Sequence, residues 1–341
     1  MKIIEVKGEP REVGRATGEA LREDIRKHLS MPCNERERPL WKRRRPVFER
    51  VMEETLPEVL EEIRGVSEGA DVPYDALLRL NIPAYADDLN VGEGCTNVAF
   101  SEGPDGPLLG KNNDGLSRQQ QRPICCRRIT FPDRIPAVVF SFSGMVAVLD
   151  GMNAEGLALE HSSVGSVYQQ SDSHVPIRLW GYRGMTSCRT TAEFHRHMIS
   201  RPMRGKGYSI LCVDREGTLR SFEAPCPLWQ VRKPPSDVSF MNCVNCYQLP
   251  MLAEADKRSE EGKQNALSRV RFFEDQLRGK TGFDLGRMKS LLQHHDAPSI
   301  CRHGQPDRGV TNYSYICMPA AAKILTVPGN PCKGHYAEVP L

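Results

Sequence analysis

Gly94-Cys95-Thr96-Asn97-Val98-Ala99-Phe100, followed shortly by Pro107-Leu108-Leu109-Gly110-Lys111-Asn112-Asn113-Asp114, marks the point where the texture of the chain changes. Before it the sequence is charged, with apolar residues at helical spacing: Val13, Ala16, Ala20, Leu21 and Ile25, then Val47, Val51, Leu56, Val59, Leu60 and Ile63. This predicts two or three long amphipathic helices and a shorter one over 74–80. Val6-Lys7-Gly8-Glu9-Pro10 reads as a turn before the first helix, and Pro39 and Pro46 as interruptions in the middle. After Thr96, short apolar runs alternate with glycine-centred turns. Strands are expected at 98–100, 108–110, 124–129, 137–142 and 145–149, with turns at 103–106, at Gly144 and at Asn153-Ala154-Glu155-Gly156. A hairpin is expected from 207–214 to 218–223, helices at 191–199, 264–277 and 283–294, and strands again at 313–318 and 323–327. Strands, then helices, then strands predict sheet layers faced by helices.

Composition narrows the classes of function. The 341 residues carry 46 Lys+Arg against 43 Asp+Glu, a formal charge of +3, which argues against a general polyanion binder. Trp41-Lys42-Arg43-Arg44-Arg45 is flanked by Glu35, Glu37, Glu49, Glu53 and Glu54, so a salt-bridged or solvated helix face is expected there, not a nucleic-acid patch. No apolar run approaches the ~18 residues of a membrane span. Charges interrupt the opening Met1-Lys2-Ile3-Ile4-Glu5-Val6-Lys7 too early for a signal peptide, and the expected address is the cytoplasm. Most of the twelve cysteines are then expected to be reduced, buried, small apolar residues. Cys243-Val244-Asn245-Cys246 is a C-x-x-C without a second pair; a zinc site would have to recruit Cys301 and His303, and no metal is expected. None of the nine histidines stands in a recognisable catalytic context, and His161 reads as a sheet residue.

Cys95 is different. A cysteine at the head of a strand gains a chemical role if its own amide is cut, because it then carries nucleophile and base together. An α-amine titrates near ~7.7–8.0 and a thiol near ~8.5, so a thiolate and a proton acceptor can coexist near neutral pH. The competing reading is a buried strand cysteine.

The chain resembles the N-terminal-nucleophile (Ntn) hydrolases of the peptidase C45 type, the group that contains the acyl-CoA:6-aminopenicillanic acid (isopenicillin-N) acyltransferases. It is also similar to the related cholylglycine hydrolases and penicillin V acylases. Gly8-Glu9-Pro10 through Gly14 and Gly18 resembles the opening of such precursors, Gly94-Cys95-Thr96 the self-cleavage junction, and Gly110-Lys111-Asn112-Asn113-Asp114 the Gly-x-Asn-x-Asp strand. Asp150-Gly151-Met152-Asn153-Ala154-Glu155-Gly156-Leu157-Ala158, Asn242-Cys243-Val244-Asn245-Cys246-Tyr247, Ser299-Ile300-Cys301-Arg302 and Pro328-Gly329-Asn330-Pro331-Cys332 follow in the family's order.

The resemblance implies an α+β, four-layer αββα fold with a mostly helical N-terminal segment. It implies self-cleavage between Gly94 and Cys95 into a segment 1–94 and a catalytic subunit 95–341, which stay associated. Cys95 would be the nucleophile, Asp114 would hold it, Asn245 would donate to the oxyanion, and Arg302 would pair with Asp114 or keep the thiolate charged. Lys111 stands where cholylglycine hydrolases carry Arg, Cys246 replaces the His that usually follows the asparagine, and Ser163 lies where relatives have a functional Asn. These three are the expected substrate-facing positions, and their departures mean that a bile-salt or penicillin V substrate does not follow. The implied substrate is a small-molecule amide with no cofactor required, acyl-CoA being a cosubstrate only if the acyl group is transferred to an amine. No nucleic acid or membrane partner is expected. The alternatives are a non-cleaving binding or scaffold protein of the same fold, a zinc-stabilised module using Cys243, Cys246, Cys301 and His303, and a conventional thiol hydrolase with a His base.

Overall fold

The structure, a computed structural model, describes residues 1–31, 37–84, 94–115, 122–304 and 309–341. Glu35 lies outside them. The chain opens with strand β1 (Lys2–Lys7), then α1 (Pro10–Ala20), α2 (Arg22–Ser30), α3 (Glu37–Thr55), α4 (Pro57–Ala70) and α5 (Tyr74–Asn81). A Glu9/Glu12 capping box and Pro10 in the first turn start α1. Val13, Leu21 and Ile25 are buried and Ala16 packs on the same core, as the spacing suggested; Ala20 is exposed instead, and Gly14, Thr17 and Gly18 complete the inward face of α1. The reason is a close helix crossing with α4. A Cβ on Gly14 would stand 2.0 Å from the Glu62 carbonyl oxygen, and one on Gly69 would stand 2.0 Å from that of Arg15. The backbones touch through glycines, so Gly14→Ala is expected to cost about 1–3 kcal/mol or more through overpacking, read as a lower denaturant midpoint.

Pro39 and Pro46 do not interrupt α3. Pro39 falls in the first turn, where no intrahelical donor is needed, and Pro46 is carried inside the helix. Trp41, Phe48 and Met52 bury one face of it. Of the basic run, Arg44 pairs with Asp172 at 3.3 Å and Arg45 with Glu49 at 2.9 Å and Asp75 at 2.6 Å.

The remainder is β2 (Thr96–Phe100), β3 (Leu108–Gly115), β4 (Ile124–Thr130), β5 (Ala137–Phe142), β6 (Asp150–Asn153), β7 (Ala158–Ser163), β8 (Val175–Pro176), α6 (Ile177–Met185), α7 (Thr191–Ile199), β9 (Met203–Arg204), β10 (Tyr208–Val213), β11 (Leu219–Ala224), β12 (Gln230–Arg232), β13 (Phe240–Cys243), α8 (Glu260–Leu277), α9 (Leu285–Gln293), β14 (His303–Gly304), β15 (Gly309–Met318), β16 (Lys323–Pro328) and β17 (Ala337–Pro340). One sheet runs β1-β4-β5-β6-β7-β10-β11-β12. The other runs β13-β2-β3-β15-β16-β17, with β14 against β15. The two sheets face each other across a core in which Phe140 stacks on Tyr315 at 4.2 Å between centroids. Helices α1–α7 cover the outer face of the first sheet, and α8 and α9 cover that of the second. The fold is a mixed α+β, four-layer αββα sandwich.

Two expectations change. Residues 145–149 form no strand, because their backbone is engaged by side chains: Asn81 Oδ1 accepts from the Val146 amide at 2.8 Å, and Ser141 Oγ donates to the Met145 carbonyl at 2.8 Å. The N-terminal segment, expected to be mostly helical, also supplies a sheet strand. β1 pairs in parallel with β4, Lys2 opposite Cys125 through Lys7 opposite Thr130. A buried ion pair, Arg127 Nη1 to Glu62 at 2.7 Å, joins α4 to the same strand. No helix among the described residues is long and apolar enough to cross a membrane.

Candidate active site

Cys95 sits immediately before β2 and is buried. β3 pairs antiparallel beside β2, setting Thr96 opposite Asn112 and Asn97 opposite Lys111. Strand alternation then sorts the polar run of β3. Lys111 reaches inward to the facing sheet: its Nζ donates to Asp150 Oδ1 at 2.8 Å and to the His161 carbonyl at 2.5 Å. Asn112 points the other way, donating to the Leu292 and Ile300 carbonyls. Asn113 turns inward again, its Nδ2 lying 3.9 Å from Cys95 Sγ. Asp114 lies outward beside Arg302, whose Nε is 3.6 Å from Asp114 Oδ2, while Thr311 Oγ1 donates to Oδ1 at 2.7 Å.

The electrostatics follow from burial and neighbours. Burial lifts the Asp114 carboxyl from 3.8 to about 6, against the pull of Arg302 and Thr311. Burial alone would lower Lys111, but Asp150 and then Cys95 outweigh it and hold the ammonium above its usual range. Burial would raise Asp150 as well; Lys111 and His161 overcome it and bring it to about 2. A fixed cation therefore lies within the field of the Cys95 thiol, with its own counter-ion locked behind it. His161 completes that support, with Nδ1 2.8 Å from Asp150 Oδ1.

Asn245, in the turn after β13, is buried; its Nδ2 donates to the Ser163 carbonyl at 2.6 Å. Its Oδ1 accepts at 3.0 Å from Arg269 Nη2, on α8. The other arm of Arg269 donates to the Gly94 carbonyl at 3.1 Å, the Cys95 carbonyl at 2.8 Å and Thr96 Oγ1 at 2.8 Å. Among the described residues no carboxylate is ion-paired with it, and burial followed by the nearby Arg302 lowers it to about 9. Arg302 approaches the same junction, since a Cβ on Gly94 would stand 2.4 Å from its Nη1.

The residues singled out in the sequence thus divide. Cys95, Gly94, Asn245, Ser163 and Lys111 gather around one junction, with Asp114 and Arg302 against its outer side. Asp114 meets Thr311 and Arg302. Cys246 packs with Val244 and Ala266 beneath α8. Cys243 donates to the Ser209 carbonyl, so the C-x-x-C and the Cys301/His303 pair do not form one metal set. Asn153 is a turn residue, as its motif predicts, its Oδ1 accepting from the Glu155 and Leu157 amides. Sequence reasoning misses Arg269 and Asp150. Asp150 lies within a quoted motif, but Arg269 is one charge among many on a charged helix. A cavity of about 410 Å³ is lined by Lys27, Arg122, Thr311 and Asn312; of these Thr311 meets Asp114, and Cys95 is not among its lining residues. Asn312 Nδ2 lies 3.3 Å from Asn113 Oδ1.

No protein-family model matches the chain. Among solved structures, the chain is similar to a Caenorhabditis elegans N-acylethanolamine-hydrolyzing acid amidase ortholog: 12% identity, TM-score 0.48, 66% of this chain and 93% of that one. It is also similar to a mutant form of the conjugated bile acid hydrolase from Clostridium perfringens, at 10% identity and TM-score 0.48 over 72% of this chain and 97% of that one. A penicillin V acylase from Agrobacterium tumefaciens aligns at 12% identity and TM-score 0.45, over 69% of this chain and 83% of that one.

Proposed function

We propose that this chain is a self-processing Ntn-type amidase of the peptidase C45 kind that works through a thioester on Cys95. The observation that carries the reading is the junction itself: a buried cysteine heads a strand, and its preceding carbonyl oxygen is held by a buried guanidinium at 3.1 Å. In the first stage the Cys95 thiol gives up its proton and Sγ attacks the Gly94 carbonyl carbon. Arg269 donates to the oxyanion. The C–N bond to Cys95 breaks, its nitrogen takes a proton, and water hydrolyses the resulting thioester. Gly94 is left as a carboxylate between Arg269 and Arg302, and Cys95 gains a free α-amine.

In the second stage the α-amine takes the thiol proton as Sγ attacks a substrate amide carbonyl, then returns it to the departing amine. Water, or an acceptor amine if the enzyme is a transferase, releases the acyl group. Asn245 and Arg269 supply donors at the developing oxyanion, and Lys111 favours the thiolate. The test is incubation with N-acyl amides while following released amine. Acyl-Cys95 thioester, captured by mass spectrometry on the fragment 95–341 and absent in Cys95→Ala, is expected. Turnover without any Cys95 adduct would sink the reading.

The pH dependence has a definite sign. Ionised Asp114 is the form that pairs with Arg302, whose guanidinium abuts Gly94, so the rate should rise with a midpoint near pH 6. Asp114→Asn should lose that limb of the rate profile. Stability moves the opposite way. The folded carboxyl binds its proton more tightly than the unfolded one, so its contribution to stability falls between about pH 4 and pH 6. An activity rise over that window is therefore not a folding effect.

A further inference from the structure

Outside the site just described, two loops bring together four side chains of another chemistry. They are His295 and Cys301 in the loop from α9 to β14, His303 at the start of β14, and Cys332 after β16. One ligand atom each from His295, His303 and Cys332 lies within 4.8 Å of the others. Cys301 Sγ is 3.6 Å from Cys332 Sγ and 3.6 Å from His303 Nε2, and Cys332 Sγ is 3.2 Å from the same nitrogen. A tetrahedral zinc ion with Zn–S about 2.3 Å and Zn–N about 2.0–2.1 Å sets its ligands about 3.8 Å (S to S) and about 3.6 Å (S to N) apart. The observed separations fall close to that tetrahedron.

The surroundings fit as well. His295 Nδ1 lies 3.1 Å from the Gln293 carbonyl, which makes it the protonated nitrogen and leaves the lone pair on Nε2. Asn330 Nδ2 approaches Cys301 Sγ at 3.4 Å, a donor suited to a thiolate, and also donates to the Arg302 carbonyl at 2.6 Å. The His294 carbonyl accepts from the Ile300 and Cys301 amides at 3.0 and 2.7 Å, closing the turn that carries His295 towards the cysteines.

We propose that Cys301, His303, Cys332 and His295 form a Cys2His2 site for a divalent zinc ion. Binding releases the two thiol protons, and two thiolates balance the 2+ charge. The exposed His295 ring is the ligand that must move to close the tetrahedron. The metal would cross-link the loops on both sides of Arg302 without touching the nucleophile, which departs from the sequence expectation of no metal.

The test uses the full-length chain, purified under reducing conditions and freed of loosely bound ions. About one zinc per chain is expected by elemental analysis, and cobalt added to the stripped protein should give the visible bands of a tetrahedral thiolate site. Cys332→Ser and His303→Ala should each weaken metal binding at least tenfold, whereas Cys188→Ser, buried elsewhere, should not. The proposal is overturned if the reduced wild-type chain takes up neither ion. It is equally overturned if the two ligand variants bind as tightly as the parent, or if the isolated protein carries Cys301 and Cys332 joined as a disulfide. The cobalt spectrum of the wild type decides the matter even where a variant fails to fold.

Discussion

Purified wild-type protein is expected to separate under denaturing conditions into two polypeptides, one of them beginning at Cys95, whereas Cys95→Ala stays a single 38.3 kDa chain. The expectation rests on chemistry that only this residue can perform. The attacking sulfur belongs to the residue whose own amide is broken, so no neighbouring cysteine can replace it. Among the described residues no cysteine is in a disulfide, and Cys95 is buried where its carbonyl meets Arg269. Intact mass and N-terminal sequencing read the result directly. Without denaturant the two pieces should elute together, because β1 is hydrogen-bonded into the first sheet and Glu62 is paired with Arg127 across the cut. A single uncut wild-type chain after prolonged incubation would remove the α-amine base. It would favour a non-cleaving binding protein or a thiol enzyme of another kind.

Arg269→Met should slow self-cleavage by about 10²–10³-fold, the usual consequence of losing one oxyanion donor. The guanidinium already donates to the scissile carbonyl, and its buried position is kept polar by Thr96 and Asn245. Methionine keeps most of the volume and removes every donor. Arg269→Lys should recover part of the rate, because an ammonium can serve one of those acceptors but not the fork. The measurement is the time course of cut chain after rapid release from denaturant, with circular dichroism verifying that both variants refold. A variant that refolds and cuts itself at the wild-type rate would assign Arg269 to structure alone.

Much of this architecture was legible from spacing and turns. The hairpin about Arg215-Glu216-Gly217 and the turn at Asn153 fall where local chemistry puts them, whereas the strand expected at 108–110 runs on through the polar Lys111–Asp114, which only the family resemblance marked as strand. What escaped has identifiable causes. α6 is buried nearly all round, so it shows no polar face and no helical period. β1 is an edge strand whose only partner among the described residues, β4, lies more than a hundred residues away. The inward face of α1 crosses α4 through Gly14 and Gly18, which hydrophobicity does not register. At the site, Cys95, Asp114, Asn245 and Arg302 were marked by resemblance to ordered motifs, but Arg269 had no local signal. Its significance comes only from a contact with Gly94 across 175 positions.

That separation bears on synthesis. When Gly94 and Cys95 leave the ribosome, the guanidinium that holds their carbonyls has not yet been translated, and Arg302 and β15 come later still. Under the proposed self-cleavage, the Gly94–Cys95 bond should be inert in a nascent or truncated chain and become reactive only after both sheets have closed and α8 has docked. Scission would then work as a proofreading mark: a cut molecule would be one whose translation ran at least past Arg269 and whose distant halves found each other.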